Sequence, residues 1–270
     1  KKGEKNMDMQ LKNKIACITG GSVGIGLAIA KELAREGVHI AICARNEERI
    51  QEVAHEIRNE FRVKVLGVKA DVSKMEDIQK FANEIEKYFG GVDILVNNAG
   101  TGSAEKIMTA PDEKWYSYWD LHVMAAIRTS RLLVPFMKKR GGGAIVNIAS
   151  VCAKQPLDYE PIYNTTKAAL VMLTKCLANE LVHDNIHVNS ICPGLIITPD
   201  WRKTATILSK DLGITPDEYL DRVAKDLAPI SRFATPEELA KFIVFICSPL
   251  AAYCIGSSYY FDGGVIKSIL

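Results

Sequence analysis

Short apolar runs alternate with longer amphipathic segments along most of this 270-residue chain. The apolar runs are 14–20, 38–44, 63–70, 92–97, 143–149 and 186–192, and helix-like spacing fills the stretches between them, including 111–139 and 162–182. Strands this apolar, separated by helices, are typical of a parallel sheet that is buried on both faces. Right-handed crossovers then give a doubly wound sheet. The alternation therefore predicts an α/β fold.

Nothing in the sequence divides the chain, since it has no linker, repeat or low-complexity stretch. We expect residues 1–270 to form a single domain behind a polar N-terminal tail of about residues 1–10. Segment 195–232 breaks the alternation, because it lacks strand character and carries three prolines. Its two helical patches predict a small helical lid over a substrate site, and a surface insertion without a role is the alternative.

Composition argues against several classes of partner. The 34 basic and 32 acidic residues leave a net charge of +2, which gives no reason to expect nucleic acid or a charged membrane surface. No apolar stretch reaches about 18 residues, so no membrane span is expected. The seven cysteines include no CxxC pair, and no His/Cys/carboxylate cluster has the spacing of a metal site. These features predict free thiols, no metal and a cytoplasmic location.

Glycines cluster in "TGGSVGIG" at 19–26, where the first predicted strand meets the first helix. Gly20, Gly24 and Gly26 permit a tight turn, and they let backbone N–H groups and the helix N-terminus approach a phosphate. A strand–turn–helix context is what such a glycine motif requires. The loop therefore predicts dinucleotide binding by a Rossmann-type sheet.

A tyrosine and a lysine stand four residues apart in "YNTTK" at 163–167. On a helix, Tyr163 and Lys167 project from the same face. A nearby ammonium favours the phenolate, so we expect Lys167 to move the pKa of Tyr163 from about 10 toward neutrality, as acid–base catalysis requires. Ser150 ends a strand at the carboxyl edge of the sheet, where open α/β folds bind ligands. Its hydroxyl can hydrogen-bond the oxygen that Tyr163 protonates.

Several motifs in a fixed order resemble the short-chain dehydrogenase/reductase family, over Lys14 to Gly264. They are the Gly-x3-Gly-x-Gly spacing, "NNAG" at 97–100, Tyr163-x3-Lys167, "ICPGLIIT" at 191–198 and "FDGG" at 261–264. The stretch "PISRFATPEELAKFIVFICS" with "DGG" looks most like the 3-oxoacyl-[acyl-carrier-protein] reductase branch. Those features belong to the scaffold, so they leave the substrate open.

The resemblance implies hydride transfer between a nicotinamide cofactor and a carbonyl or secondary alcohol. Ser150, Tyr163 and Lys167 match the family's catalytic residues. The cofactor-binding positions it implies are Gly20, Ser22, Val23, Gly24, Ile25, Gly26, Arg45, Asp71, Val72, Asn98, Ala99, Gly100, Tyr163, Lys167, Pro193, Gly194, Ile196 and Thr198. Asp71 would meet the adenine amine, although a helix-capping or turn role is its ordinary alternative.

The end of the second strand bears on the choice of cofactor. NAD-preferring dinucleotide folds carry an acid there for the ribose 2′-hydroxyl, whereas this chain has Ala44 followed by Arg45. An arginine can pair with a 2′-phosphate through charge-assisted hydrogen bonds. We therefore expect NADP(H) in preference to NAD(H). A solvated Arg45 and NAD(H) dependence are the alternative.

One position departs from the family pattern. The family has an asparagine seven residues after a tryptophan in its fourth helix, and counting from Trp115 gives His122. A histidine can donate and accept hydrogen bonds, and its near-neutral pKa suits a proton relay. His122 could preserve that relay, alter its pH dependence or serve another substrate. It could also be a core histidine without a catalytic part.

The resemblance also implies a small-molecule substrate and a homotetramer built through 111–139, 162–182 and the C-terminal strand. Apolar residues expected near the site indicate a substrate with an apolar part: Val151, Cys152, Leu157, Leu195, Ile196 and Trp201. A non-catalytic NADP(H)-binding regulator is the competing hypothesis, and Ser150, Tyr163 and Lys167 weigh against it.

Overall fold

The computed structural model describes residues 7–268, and most of the predicted tail, residues 1–6, lies outside them. Seven strands form one sheet: β1 Ile15–Thr19, β2 His39–Ala44, β3 Val65–Lys69, β4 Ile94–Asn97, β5 Gly143–Ile148, β6 Ile186–Pro193 and β7 Ser258–Phe261. The strand order is β3-β2-β1-β4-β5-β6-β7, and every neighbouring pair is parallel. The predicted doubly wound α/β fold is confirmed.

The helices cover both faces of this sheet. They are α1 Gly24–Arg35, α2 Glu47–Phe61, α3 Met75–Phe89, α4 Asp112–Trp119, α5 Ala125–Lys139, α6 Pro161–Leu181, α7 Pro199–Asp211, α8 Pro216–Leu227 and α9 Pro236–Cys247. Successive residues of β1 show the two layers, since Ala16 and Ile18 pack into one core while Ile15 and Cys17 pack into the other. Side chains of a strand alternate between faces, so apolar runs without polar interruption are what a sheet covered on both sides needs.

Chain order reverses between β1 and β4, which lie side by side in the sheet. Ligands of open α/β sheets bind outside the carboxyl ends of the strands at such a switch point. The loops after β1, β4 and β5 all begin at this edge, so the fold gathers the predicted glycine loop, "NNAG" and Ser150 there.

The predicted continuous helix over 111–139 is interrupted. One π-helical turn, Asp120–Met124, separates α4 from α5, and His122 lies within it. The periodicity of apolar residues cannot reveal such a turn, because a single extra residue leaves the pattern on either side intact. Isolated π turns inside α-helices occur frequently at functional sites.

Two helices, α7 and α8, occupy the predicted lid segment. Each begins with a proline after a capping threonine, Thr198 for α7 and Thr215 for α8. Two of the three prolines that interrupt strand character therefore mark helix starts. Within residues 7–268, no helix combines the length and apolar character needed to cross a membrane.

Candidate active site

The glycine loop joins β1 to α1 in a shape that side chains would block. Gly20 and Gly24 have positive φ angles of 67° and 57°. A Cβ on Gly26 would lie 2.2 Å from the Gly20 carbonyl oxygen, so this position has no room for one. Helix α1 has no side-chain cap at Val23 and no acidic residue in its first turn. Its N-terminal N–H groups are therefore available to an anion, as the cofactor's pyrophosphate requires.

Asn98 fixes this loop against the next strand. Its side-chain amide donates to the carbonyl oxygens of Thr19 at 2.9 Å and Gly20 at 3.2 Å. The hydroxyl of Thr19 in turn accepts hydrogen bonds from the backbone N–H groups of Asn98 and Ala99, at 3.0 and 3.1 Å. Asn98 thus shapes the cofactor loop from β4, and Thr19, which the sequence analysis missed, is its partner.

The adenosine end is formed after β2 and β3. Arg45 is exposed directly after Ala44, and within residues 7–268 it makes no salt bridge. Asp71 accepts hydrogen bonds from the Ser73 backbone N–H at 3.0 Å and the Ser73 hydroxyl at 2.7 Å. Burial works to raise the pKa of Asp71, but these bonds and the charge of Arg45 outweigh it and hold the pKa below its ordinary value. The exposed guanidinium of Arg45 can pair with a phosphorylated ribose, and the ionised Asp71 can accept a hydrogen bond from the adenine amine.

The three predicted reacting side chains meet at the carboxyl end of β5. Ser150 follows that strand, is buried, and is within hydrogen-bonding reach of the Tyr163 phenol. Lys167 is also buried, and its Nζ lies 5.4 Å from the centroid of the Tyr163 ring. The same Nζ donates a 2.7 Å hydrogen bond to the Ile148 carbonyl oxygen. Helix α6 and strand β5 therefore hold Tyr163 between a hydroxyl and an amine.

The expected effect of Lys167 on Tyr163 is wrong for this structure. Burial raises the pKa of Tyr163, and the hydrogen bond with Ser150 offsets only part of that rise. Burial also lowers the pKa of Lys167 from its ordinary 10.5 to about 8. Desolvation disfavours the charged form of both groups, and it is the largest influence on the pKa of each. Tyr163 is therefore protonated at neutral pH, the form that donates a proton.

His122 reaches the site from the π turn and is 2% exposed. Its Nδ1 lies 2.8 Å from the Thr166 hydroxyl, which itself donates to the Tyr163 carbonyl oxygen at 3.0 Å. The Thr166 hydroxyl proton is already donated to the Tyr163 carbonyl oxygen. His122 Nδ1 therefore carries its own proton and donates it to the Thr166 oxygen. Nε2 then accepts from the Thr101 backbone N–H at 3.2 Å.

The near-neutral pKa expected for His122 is also wrong. Burial first, and the charge of Lys167 second, lower its pKa from 6.5 to about 2. The imidazole stays neutral at physiological pH. Its two hydrogen bonds connect the loop after β4 to helix α6. They give no support to a proton relay that protonates the ring.

Apolar side chains wall the cleft next to Tyr163. Val151, Cys152, Leu157, Leu195 and Trp201 all belong to one cluster with it, as expected. Ile196 does not, because it packs into the main core beside the sheet and is 2% exposed. The side chain of Ile196 is therefore unavailable to cofactor or substrate, and only its backbone can contribute. Pro193 ends β6, Gly194 begins the loop that contains Ile196, and Thr198 caps α7 at the end of that loop.

One polar group in this apolar wall was missed by sequence analysis. Glu160 precedes α6, is 8% exposed, and within residues 7–268 makes no salt bridge. The Cys152 thiol lies 3.5 Å from its Oε1 and donates to it. Burial raises the pKa of Glu160, and the negative charge of Glu160 contributes to the raised pKa of Tyr163. Its partner Cys152 packs in the same cluster as Tyr163, which puts the carboxyl at this wall. Its burial depends on loops distant in sequence, which no local pattern shows.

The chain matches the model of the short chain dehydrogenase family over residues 14–206. The chain belongs to this family. L-sorbose reductase from Gluconobacter frateurii, solved in complex with NADPH and L-sorbose, is 57% identical, with a TM-score of 0.96 over 97% of this chain and 100% of that one. An uncharacterized oxidoreductase of Bacillus subtilis, YvrD, is 34% identical over 97% of this chain and 100% of its own length. The 3-oxoacyl-[acyl-carrier-protein] reductase FabG of Aquifex aeolicus is 34% identical over 96% of this chain and 100% of its own length.

This short chain dehydrogenase brings most of the predicted site residues to one edge of its sheet. Ser22, Val23 and Ile25 lie in the glycine loop or at the start of α1, and Val72 is buried after β3 beside Asp71. Gly100 lies between His122 and Lys167, since a Cβ there would be 3.1 Å from Nε2 and 3.5 Å from Nζ. In the described residues no group of three or more His, Cys, Asp or Glu side chains is placed to hold a metal.

Proposed function

We propose that this chain reduces a polyhydroxylated ketone, a keto sugar, at the expense of NADPH, and oxidises the corresponding polyol in reverse. Its activity class is that of an NADP(H)-dependent oxidoreductase acting on a carbonyl or secondary alcohol. The L-sorbose bound by the 57% identical reductase supports a keto sugar. The residues fit the cofactor, because the uncapped N-terminus of α1 is available to a pyrophosphate and Arg45, exposed and without a salt bridge in residues 7–268, is available to a 2′-phosphate.

The observation that carries the substrate class is the buried carboxyl of Glu160. A buried carboxylate without a cationic partner is costly unless hydrogen-bond donors reach it. The Cys152 thiol and the Ser103 backbone N–H already donate to this carboxyl. Sugar hydroxyl groups would add stronger donors than the thiol, whereas an acyl chain supplies none. The apolar wall from Val151 to Trp201 then faces the C–H surfaces of the same substrate. This favours a keto sugar over the 3-oxoacyl substrates suggested by the scaffold resemblance.

The mechanism follows from the protonation states at the site. When bound, the nicotinamide supplies the hydride that reduces the carbonyl carbon. Tyr163 donates its proton to the carbonyl oxygen, and the Ser150 hydroxyl hydrogen-bonds the same oxygen. The Lys167 ammonium, held by the Ile148 carbonyl, stabilises the phenolate that is left. In the oxidising direction Tyr163 accepts the proton instead.

Helices α7 and α8 would serve as the substrate lid. Trp201 on α7 contacts Phe233 edge-on, with 5.1 Å between the ring centroids. Ala224 on α8 packs in the cluster that contains Tyr163. The lid therefore shares its apolar contacts with the proposed substrate wall. Its closure over a sugar would exclude water from the reacting carbon.

A homotetramer in the cytoplasm is the proposed state of the protein. Helix α6 exposes Ala168, Met172 and Cys176 at helical spacing, and Met172 is 65% exposed. Tyr116 on α4 is 68% exposed. An apolar surface across two helices supports a subunit contact there. The free thiols, five of them buried, support a reducing compartment.

Substitution of Glu160 tests the substrate class. We expect Glu160→Gln to lower kcat/KM for a keto sugar about 30-fold, since a charged hydrogen bond contributes about 2 kcal/mol. Glu160→Leu should lower it further. A cyclic ketone without hydroxyl groups serves as the control substrate, and its turnover should change little. Equal losses for both substrates would show that Glu160 does not recognise hydroxyl groups.

A further inference from the structure

The helix that carries Tyr163 and Lys167 begins without a cap of its own. Glu160 occupies the N-cap position of α6, but its side chain makes no capping hydrogen bond. Pro161 has no N–H group, and the Asn164 N–H donates to the Glu160 carbonyl oxygen at 3.0 Å. The backbone N–H groups of Ile162 and Tyr163 therefore need acceptors from outside the helix.

The loop after β4 provides both acceptors. Glu105 Oε1 accepts from the Ile162 N–H at 3.0 Å, and the Ser103 hydroxyl accepts from the Tyr163 N–H at 3.3 Å. The Ser103 hydroxyl in turn donates to Glu105 Oε1 at 2.9 Å. One carboxylate and one hydroxyl thus complete the first turn of α6 from 57 or more residues away in sequence.

Glu105 is itself held firmly. Its side chain is 6% exposed, and Oε2 forms an ion pair with Lys114 at 2.8 Å. Its backbone N–H donates to the Tyr159 carbonyl oxygen at 3.0 Å, and Lys114 Nζ also donates to the Ala104 carbonyl at 3.0 Å. Burial works to raise the pKa of Glu105, but the bonds from Lys114, Ile162 and Ser103 keep it below its ordinary value. The carboxylate is ionised, the form that a helix N-terminus favours.

The same loop is fixed at its other end to the cofactor side. Asn98 binds the glycine loop through Thr19, and the Thr101 N–H donates to His122. Tyr118 on α4 donates its hydroxyl to the Gly102 carbonyl oxygen at 2.7 Å. Residues 98–105 therefore form one connected path from the cofactor loop to the first turn of α6.

We propose that Glu105 is a positioning residue for the reaction, capping α6 from the β4 loop and thereby fixing Tyr163 relative to the cofactor side. The proposal rests on the proposed function for the role of Tyr163, but the cap is a separate claim. An ordinary cap contributes only to stability, so kinetics and stability must be measured on the same variants.

Glu105→Ala is the central variant, and Glu238→Ala is its matched control. Glu238 also caps a helix, α9, through its capping box with Thr235, and also pairs with a cation, Arg232 at 2.9 Å. We expect Glu105→Ala to lower kcat about 10-fold to 100-fold, since small displacements of reacting groups have effects of this size. NADPH affinity should remain that of the wild type. Glu238→Ala should lower the melting temperature but leave kcat unchanged.

The conservative variant separates the cap from the charge. Glu105→Gln keeps an oxygen for Ile162 and Ser103 and loses the ion pair with Lys114, so its kcat should lie between those of the wild type and Glu105→Ala. A kcat for Glu105→Ala equal to that of Glu238→Ala would overturn the proposal. If Glu105→Ala does not fold, Ser103→Ala is the substitute variant, because it removes the acceptor of the Tyr163 N–H. An unchanged kcat in Ser103→Ala would also overturn the proposal.

Amide hydrogen exchange tests the cap without turnover. Exchange at Ile162 and Tyr163 should be faster in Glu105→Ala than in the wild type or Glu238→Ala, by about tenfold for a cap of about 1.4 kcal/mol. Unchanged exchange at both amides would overturn the cap. If the wild type reduced no ketone at all, the proposed function would fail, while the exchange result would still decide the cap.

Discussion

At the scale of single residues, desolvation sets the protonation state of Tyr163, Lys167 and His122. Burial keeps the phenol protonated and the imidazole neutral, and it leaves only Lys167 with a pKa near physiological pH, about 8. Sequence spacing predicted that Tyr163 and Lys167 project from one helix, which α6 confirms, whereas His122 was expected near them only from the family resemblance. Their protonation could not be predicted from spacing, because desolvation depends on the whole surrounding fold.

Lys167 should therefore govern the pH dependence of ketone reduction. Below about pH 8 its side chain is an ammonium, and above that pH it is neutral and no longer stabilises the phenolate. We expect kcat/KM, which reports the free enzyme, to fall as pH rises through about 8. No inflection should come from His122 near its ordinary 6.5. Lys167→Arg, which keeps its charge, is the control and should move the decline to higher pH.

Arg45 should set the choice between the two nicotinamide cofactors. Arg45→Ala removes the one arginine that directly follows β2, where a 2′-phosphate would bind. We expect KM for NADPH to rise about 10-fold to 100-fold, the effect of losing a charge-assisted hydrogen bond of 1.5–3 kcal/mol. The KM for NADH should stay the same. Equal changes of KM for NADPH and NADH would contradict a phosphate contact. Arg49→Ala on α2 is the control variant.

At the scale of secondary-structure elements, the alternation of apolar runs predicted six of the seven strands in residues 7–268, and the family resemblance implied β7. The π turn at Asp120–Met124 and the cap of α6 by Glu105 could not be predicted. Both arise from contacts between loops far apart in sequence. The extra residue of the π turn is associated with His122, which makes its hydrogen bonds to Thr101 and Thr166 only in the folded chain.

Asp93 should contribute to stability without affecting catalysis. It lies just before β4, is 2% exposed, and accepts from the Ile15 N–H at 2.8 Å while pairing with Arg140 at 3.0 Å. Asp93→Ala would leave a buried N–H and a cation without their acceptor. We expect the free energy of unfolding to fall by about 2–4 kcal/mol in urea denaturation. Because Asp93 is at the opposite edge of the sheet from Ser150, a large loss of kcat in folded protein would contradict this role.

At the scale of the whole molecule, one edge of the sheet gathers the cofactor loop and the reacting residues, and helices α4 and α6 carry the surface proposed for assembly. We expect light scattering after size-exclusion chromatography to give about four times the 29.8 kDa of the chain. Met172→Glu would place a charge on the exposed stripe of α6 and should shift the mass to a smaller species. A wild-type monomer would contradict the tetramer. Gln79→Glu, which places the same charge on an exposed position of α3, is the control.

The most direct test of the account is the oxidation of NADPH at 340 nm by the wild type and by Tyr163→Phe, with a keto sugar as substrate. We expect rapid turnover by the wild type, with NADH much slower. Tyr163→Phe should lose about 10²-fold to 10⁴-fold in kcat, the range for a general acid, while it still binds NADPH. Turnover by Tyr163→Phe at the wild-type rate would contradict the central claim that this phenol carries the proton.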